Sequence, residues 1–374
     1  MNSVPTIPHS LITAASVVLG ALVGSFLNVC IYRLPLGLSV RSPARSYCPH
    51  CRKTISWWEN VPVLSWILLR GRCSTCQKPI PVRYLLVEAF TSILFGCTAA
   101  FLPIADPWLL LPIFTLLGIF VVATVVDLEH MIIPDEVTWG GVGAGAVFSL
   151  LLPALHGSSS HLHGLGLSLL GAATGYFLLW AVVEVGRLAL GRKRIAFQEP
   201  TPVFWIRDGD EAEFTVGDEV TPWSDFFFRG TEKIRMGVEG GEIDGEPVQK
   251  GEVLWALNQI QVFESGGKLE RSADLNLANR ICFQIRWLVF PREVMGFGDV
   301  KFLAAIGAFL GWKATLFTVA SGSCLAAVFG IVLLLLRKRQ WGAIPFGPYL
   351  AAGAIVWVVN GPALLDAYLR LLSL

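Results

Sequence analysis

The stretch Met295-Gly296-Phe297-Gly298-Asp299-Val300-Lys301-Phe302-Leu303-Ala304-Ala305-Ile306-Gly307-Ala308-Phe309-Leu310-Gly311-Trp312 decides how often this chain crosses a bilayer. Its apolar part, Val300 to Trp312, has 13 residues. At ~1.5 Å of helical rise per residue that covers only ~20 Å, short of the ~30 Å of hydrocarbon in a membrane. Alone it reads as a re-entrant piece. The other apolar runs are longer: Leu11 to Tyr32, then about 84 to 105, 108 to 126, 137 to 155, 164 to 185, 314 to 336 and 343 to 365, each near the ~20 residues that cross as a helix. Charge decides between the readings. Residues 33 to 83 hold nine Lys/Arg against one acid, Glu59, which marks that loop as cytoplasmic. Alternation from there puts Asp127 to Glu136 inside, then the segment opened by Arg187, Arg192, Lys193 and Arg194, and Arg337-Lys338-Arg339 belongs inside by its charge. Between the last two the chain must cross an even number of times, and only the 13-residue piece can pair with 314 to 336. Eight spans follow, with both termini outside.

The composition agrees. Of 374 residues 54% are hydrophobic and only 15% charged, with a mean hydropathy of +0.60, whereas a soluble globule carries about 25% charged residues. A soluble multidomain enzyme, a disordered chain, a collagen-like repeat and a small disulfide scaffold are all excluded. The net charge of +1 averages two loops of opposite character, and nothing points to nucleic acid. Met1 to Ser10 has no Lys or Arg and the run after it is too long for an h-region, so Leu11 to Tyr32 reads as a retained span. The expected fold is an all-α polytopic membrane protein with two soluble inserts. Residues 1–32 form the first span, 33–83 a basic loop, 84–190 spans two to five, 191–293 a soluble insertion and 294–374 the last three spans. The insertion has 18 of the 28 acids against 13 Lys/Arg. Its alternating runs Val203 to Arg207, Ala212 to Val216, Asp225 to Arg229 and Lys233 to Val238 predict strands of a small β domain.

Chemistry-bearing residues fall into two groups. Cys30, Cys97, Cys282 and Cys324 are isolated and read as small hydrophobes. The other four form Cys48-Pro-His-Cys51 and Cys73-Ser-Thr-Cys76, two C-x-x-C pairs separated by 21 residues. That spacing suits a structural zinc site, in which each pair supplies one edge of a tetrahedron of thiolates. A reducing compartment favours metal over disulfide, and His50 is a weaker candidate ligand. The second group is carboxylates at membrane edges. Asp127 ends the third span and Asp299 opens the short sixth. Ionisable groups at membrane depth are costly and are candidates for function, and the glycines at 296 and 298 let the backbone turn tightly and carry Asp299 into the bundle. Asp135 competes with Asp127, but before Glu136 it suits the first turn of a helix.

A Gly-x-Gly-Asp motif at a membrane helix start, with a second Asp at the cytoplasmic end of an earlier span, resembles the intramembrane aspartic peptidases. More narrowly, Gly24-Ser25-Phe26-Leu27-Asn28-Val29-Cys30-Ile31-Tyr32-Arg33-Leu34-Pro35, the paired C-x-x-C, Asn60-Val61-Pro62-Val63-Leu64-Ser65-Trp66, Arg70-Gly71-Arg72-Cys73 and Tyr84-Leu85-Leu86-Val87-Glu88 resemble the type IV prepilin leader peptidases of bacteria. The similarity extends over nearly all of the chain except about 191 to 293. It implies eight spans in the bacterial inner membrane, an Asp127/Asp299 catalytic dyad, and cleavage of the basic leader of type IV prepilins or type II secretion pseudopilins. With the four-Cys loop it also implies methylation of the new N-terminus by S-adenosylmethionine. Phe297 stands where the family often has a middle glycine. Glu59 and Glu88 hold the loop against the membrane or help bind the methyl donor. Two readings from other classes are a proton- or ion-coupled transporter with Asp127, Glu129 and Asp299 as a relay, and a zinc-stabilised membrane scaffold, which leaves Gly296, Gly298 and Asp299 without a purpose. For the insertion, ending at Glu293 just before the Gly-x-Gly-Asp loop, the expectation is a regulatory or substrate-docking domain, weighed against a tolerated insertion without effect on the chemistry.

Overall fold

The computed structural model describes residues 8–43, 45–102, 106–190, 193–208, 211–217, 219–223, 233–264, 267–290, 295–335 and 345–372. They divide into two compact units, one of Met1–Trp180 with Gly296–Leu374 and one of Ala181–Met295.

The first unit is helical. Its elements are α1 His9–Arg33, the short α2 Leu64–Leu68, α3 Val82–Phe101, α4 Leu110–His130, α5 Asp135–Leu151, α6 His161–Leu190, α7 Phe297–Leu335 and α8 Gly347–Leu372. Six of them, α1, α3, α4, α6, α7 and α8, are long and apolar enough to cross a membrane. α5 has 17 residues. α7 has 39 but is broken at Gly311, whose φ of 80° and ψ of 172° are not helical. The two runs read as separate spans are therefore two helices that meet at this break. Its first half, 297–310, is buried on almost every side, from Val300 and Phe302 to Ala308 and Phe309. A helix this short survives at membrane depth only when protein surrounds it and the freed carbonyls find donors. Ser168 Oγ of α6 donates to Ala308 O at 2.7 Å, and Thr315 Oγ1 donates to Gly311 O at 2.9 Å.

Small residues let the helices touch backbone to backbone. A methyl group on Gly171 of α6 would lie 2.1 Å from Gly307 O of α7, and one on Gly307 the same distance from Gly171 O. On the other side of α7, Gly145 of α5 leaves room for Ala308. The half-helix that begins with Asp299 is thus gripped from two sides. α1 meets α3 in the same way through Gly20 and Gly24.

The second unit is a sheet of nine strands: β1 Lys193–Asp208, β2 Glu211–Val216, β3 Glu219–Pro222, β4 Lys233–Ile243, β5 Glu246–Val248, β6 Gly251–Ala256, β7 Gln259–Glu264, β8 Leu269–Asp274 and β9 Arg280–Phe290. The order is β3-β2-β1-β9-β4-β6-β7-β8 with β5 on β4, antiparallel throughout. Three of the four expected strands lie in β1, β2 and β4; Asp225 to Arg229 falls outside the described residues. Ile281, Phe283 and Ile285 of β9 turn to one face, as period-two alternation requires, and join Trp205, Phe214, Trp223 and Trp255 in an aromatic core. The two ends of the insertion are neighbours, with Lys193 paired to Phe290 in register.

Candidate active site and four-cysteine centre

Asp127 lies in the last turn of α4, which closes with Met131 in the left-handed conformation, its N–H on Asp127 O at 3.0 Å. The chain then runs extended through Pro134 and re-enters helix at Asp135. Asp299 is the third residue of α7, so it sits inside the first turn and not before it. Both carboxylates are buried, with residue exposures of 5% and 7%. Ile133 lies between the glycines that neighbour them, Gly298 next to Asp299 in sequence and Gly347 in contact with Asp127. A methyl group on Gly298, beside Asp299, would lie 3.2 Å from Ile133 Cβ; one on Gly347 would lie 3.1 Å from Ile133 Cδ1 and 2.7 Å from Asp127 Oδ2. Gly298 is helical and keeps a negative φ, so its freedom from a side chain serves close approach to Ile133, whereas a tight turn was expected of the glycine pair.

Gly347 is a participant that the sequence did not announce: its N–H donates to Asp127 Oδ2 at 2.9 Å. Pro345-Phe346-Gly347-Pro348 signals a helix start, but the target of the first free N–H groups of α8 is set by packing. Asp135 is exposed and accepts from Lys301 Nζ at 2.6 Å. That pair ties the entry of α5 to the first turns of α7. Glu129 is paired with Arg83, which occupies the third carboxylate of the relay reading.

The basic loop holds the second site. Its two halves fold as copies of one another. In the first, Cys48 N donates to Lys53 O at 2.9 Å and Arg52 N to Cys48 O at 2.9 Å; in the second, Cys73 N donates to Lys78 O at 3.0 Å and Gln77 N to Cys73 O at 3.1 Å. Arg52 and Gln77 both take positive φ, 56° and 57°. Each turn aims its N–H groups and its two thiols inward. Cys48 Sγ is 3.8 Å from Cys76 Sγ, Cys51 Sγ is 3.9 Å from Cys73 Sγ, and all four lie within 4.8 Å of one another. A tetrahedral ion with ~2.3 Å metal–sulfur bonds has sulfur–sulfur edges of ~3.8 Å, so the cluster fits one metal ion. His50 is exposed and outside the cluster. N–H groups of Cys76 and Thr75 pull the Cys73 thiol down to about 6. Cys76 has the N–H of Lys78 in its favour, yet burial and three neighbouring thiols push it up to about 11. Packed this closely, four thiols do not all ionise without a cation among them.

Glu59 and Glu88 both fasten this loop. Glu59 accepts from Ser74 Oγ, from Ser56 N at 2.9 Å and from Lys53 Nζ at 3.1 Å, and these bonds, Ser74 foremost, hold its carboxyl down at about 2. Since Lys53 and Ser74 belong to different halves, Glu59 braces one against the other. Glu88, buried in α3, accepts from Val63 N at 2.7 Å.

No solved structure matches this chain. Among curated proteins it is similar to the prepilin leader peptidase/N-methyltransferase of Aeromonas hydrophila, 28% identical over 372 residues, covering 93% of this chain and 90% of that protein. That of Stutzerimonas stutzeri is 28% identical over 379 residues, covering 95% and 93%. That of Myxococcus xanthus is 39% identical over 186 residues, about half of each chain. The model of the bacterial peptidase A24 N-terminal domain matches residues 18–102, and that of the type IV leader peptidase family matches 114–193 and 259–331. The first match takes in all four cysteines and the second takes in both buried aspartates, and the chain belongs to the type IV leader peptidase family.

Proposed function

We propose that this chain cleaves the leader from type IV prepilins or type II secretion pseudopilins and then N-methylates the exposed terminus with S-adenosylmethionine. What supports the cleavage reading is that Asp127 and Asp299 are both buried, with Ile133 lying against Gly298, beside Asp299, and against Gly347, whose N–H holds Asp127; the N-methyltransferase half rests on the names of the relatives. Two carboxylates held together in a poorly solvated place do not both ionise, so they share a proton. The ionised member takes a proton from water as its oxygen attacks the scissile carbonyl carbon, and the protonated member donates to the carbonyl oxygen. Collapse of the tetrahedral adduct breaks the C–N bond; the amine leaves with the proton drawn from water, and the other carboxylate recovers its proton from the former carbonyl oxygen. Gly347 N–H fixes the direction of one Asp127 oxygen through this cycle, and the Lys301–Asp135 pair fixes the entry of α7. The pair titrates as a unit, so base and acid belong to the dyad and not to either residue.

The four cysteines hold Zn²⁺ in a closed site. There the metal supplies cross-linking of the two half-loops and no open coordination position. The bundle crosses the bacterial inner membrane eight times. The six long helices give seven crossings when α7 is divided at Gly311, and α5, about 25 Å long at ~1.5 Å per residue, gives the eighth. The basic loop and the insertion face the cytoplasm, as does the end of the bundle that carries the dyad. Arg337-Lys338-Arg339, expected on the same side, lies outside the described residues.

Purified chain in detergent with a purified prepilin and S-adenosylmethionine tests the reading. Loss of the leader followed by methylation of the new N-terminus, both read by mass, is the expected result. An intact prepilin after prolonged incubation with folded chain overturns it.

A further inference from the structure

The loop that carries the cysteines also carries an apolar surface that neither the metal nor the dyad uses. Trp57 and Leu68 are 83% and 80% exposed, and Trp58, Leu64 and Ile67 are exposed with them. Trp57 and Trp58 belong to a 3-10 turn, Trp57–Asn60, that lies near α2, which carries the other three. The patch is held rigidly. Leu64 N donates to Pro62 O at 2.6 Å around Val63 at φ 64° and ψ −53°, the strained form of γ-turn. A β-branched residue at positive φ is a true outlier, kept only where its surroundings force it; here the force is the buried carboxylate of Glu88 on Val63 N. On its other side α2 is pinned by Trp66, whose indole N–H donates to Ile80 O.

Glu88 also measures depth. It is the seventh residue of α3, a helix fit to cross a membrane, and so lies about 9 Å along the axis from its start. Val63, the residue just before α2, is in contact with it. Leu86 and Phe90 of α3, on either side of Glu88 in sequence, are exposed as well, as residues facing acyl chains are. The charge of the loop is the second observation. Arg41, Arg45, Arg52, Arg70, Arg72 and Lys78 are exposed, and none of them forms an ion pair among the described residues. The one acid of the loop, Glu59, is spent on Lys53 and Ser74.

We propose that the Trp57–Asn60 turn and α2 are a membrane-interface anchor, seated in the headgroup layer of an anionic phospholipid bilayer beside α3, with Arg70, Arg72 and the other free cations on lipid phosphates. Exposed tryptophan and leucine beside unpaired arginine is the composition that binds such a layer, and the same cations repel a basic leader peptide. The anchor fixes the metal-bound loop against the membrane, and Glu88 transmits its position to the bundle.

The test places a benzophenone amino acid at Trp57, at Leu68 or at Gln77, an exposed tip of the second half-loop, in the full chain reconstituted in phosphatidylcholine vesicles with or without phosphatidylglycerol, prepilin being present throughout. Illumination should give lipid adducts at 57 and 68 several-fold above those at 77. The yield should fall when phosphatidylglycerol is omitted and should fall in the same way with Arg70→Gln combined with Arg72→Gln. Equal lipid yields at all three positions, adducts mainly to prepilin, or yields indifferent to phosphatidylglycerol overturn the proposal. The readout is independent of catalysis, so it stands or falls apart from the peptidase assignment.

Discussion

Asp127 receives an N–H from Gly347 that no neighbour in sequence could supply, since 220 residues separate them. Asp127→Asn or Asp299→Asn should abolish prepilin cleavage while the protein still accumulates in membranes, because an amide cannot share the proton; Asp135→Asn, which breaks only an exposed ion pair, should retain most of the activity. Gly347→Ala keeps both carboxylates but drives a methyl group to 2.7 Å from Asp127 Oδ2. It should cost on the order of 10²-fold in cleavage, the scale of a small misplacement of a reacting group. Glu59 belongs to the loop. With its carboxyl held at about 2, its contribution is fully present above the ordinary carboxylate range and is lost only as pH falls through about 2. Metal release between pH 6 and 4 therefore follows protonation of thiolates. The protein should contain about one Zn²⁺ per chain. Glu59→Gln should weaken retention against a chelator at pH 7 by roughly 10- to 100-fold without changing the shape of the acid release curve. Asp127 and Asp299 stand out in the sequence because carboxylates are rare at the ends of apolar runs, and the four clustered cysteines because of their paired spacing. Gly347 and Ile133 could not, because a glycine N–H or an isoleucine side chain acquires meaning only from what packs beside it.

The helices show the same division. Hydrophobic length placed α1, α3, α4 and α6 within about five residues of their observed ranges, while α8 runs to Leu372, past the 365 expected. Charge topology separated Val300 to Trp312 from 314 to 336, and the physical separator is Gly311, one residue at positive φ where two helices meet. The grip on the first half of α7 was not legible, since glycines at 171 and 307 are unremarkable until two backbones meet at them. Gly171→Val should force α6 and α7 apart and destabilise the protein by about 1–3 kcal/mol, read as a lower melting temperature with a matching loss of cleavage. Gly166→Ala, in the same helix with open space around it, should be neutral or slightly stabilising. In the sheet, three strands followed from alternation. Gln259 to Phe263 and Arg280 to Arg286 alternate as well and could have been read as β7 and β9.

At the scale of the molecule, the insertion is a folded sheet with its own core and not a loose loop, and its ends lie side by side. Replacing about 196 to 290 by a short Gly/Ser linker should leave the bundle, both aspartates and the cysteines in place, because Lys193 and Phe290, near the two cut points, pair in register and a short linker spans strands so placed. Cleavage of a short leader peptide should then persist, while cleavage of full-length prepilin should weaken if the domain docks substrate. Equal loss on both substrates would indicate damage to the loop before Asp299, and no loss on either would mean an insertion without bearing on the chemistry.

The pairing of Lys193 with Phe290 has a mechanical side. A pull on those two ends acts at one end of an antiparallel ladder, which opens rung by rung like a zipper, where a pull along the strands would load every bond at once. The first rungs, Lys193 with Phe290 through Ala196 with Trp287, end at the irregularity before Thr201, and the aromatic core starts beyond it at Val203. Tension therefore peels the four residues Lys193–Ala196 of β1, which pair with β9 alone, and lengthens the lead into the sheet by roughly 13 Å at ~3.3 Å per residue, with the core still closed. The bulge would act as the catch that stops the tear.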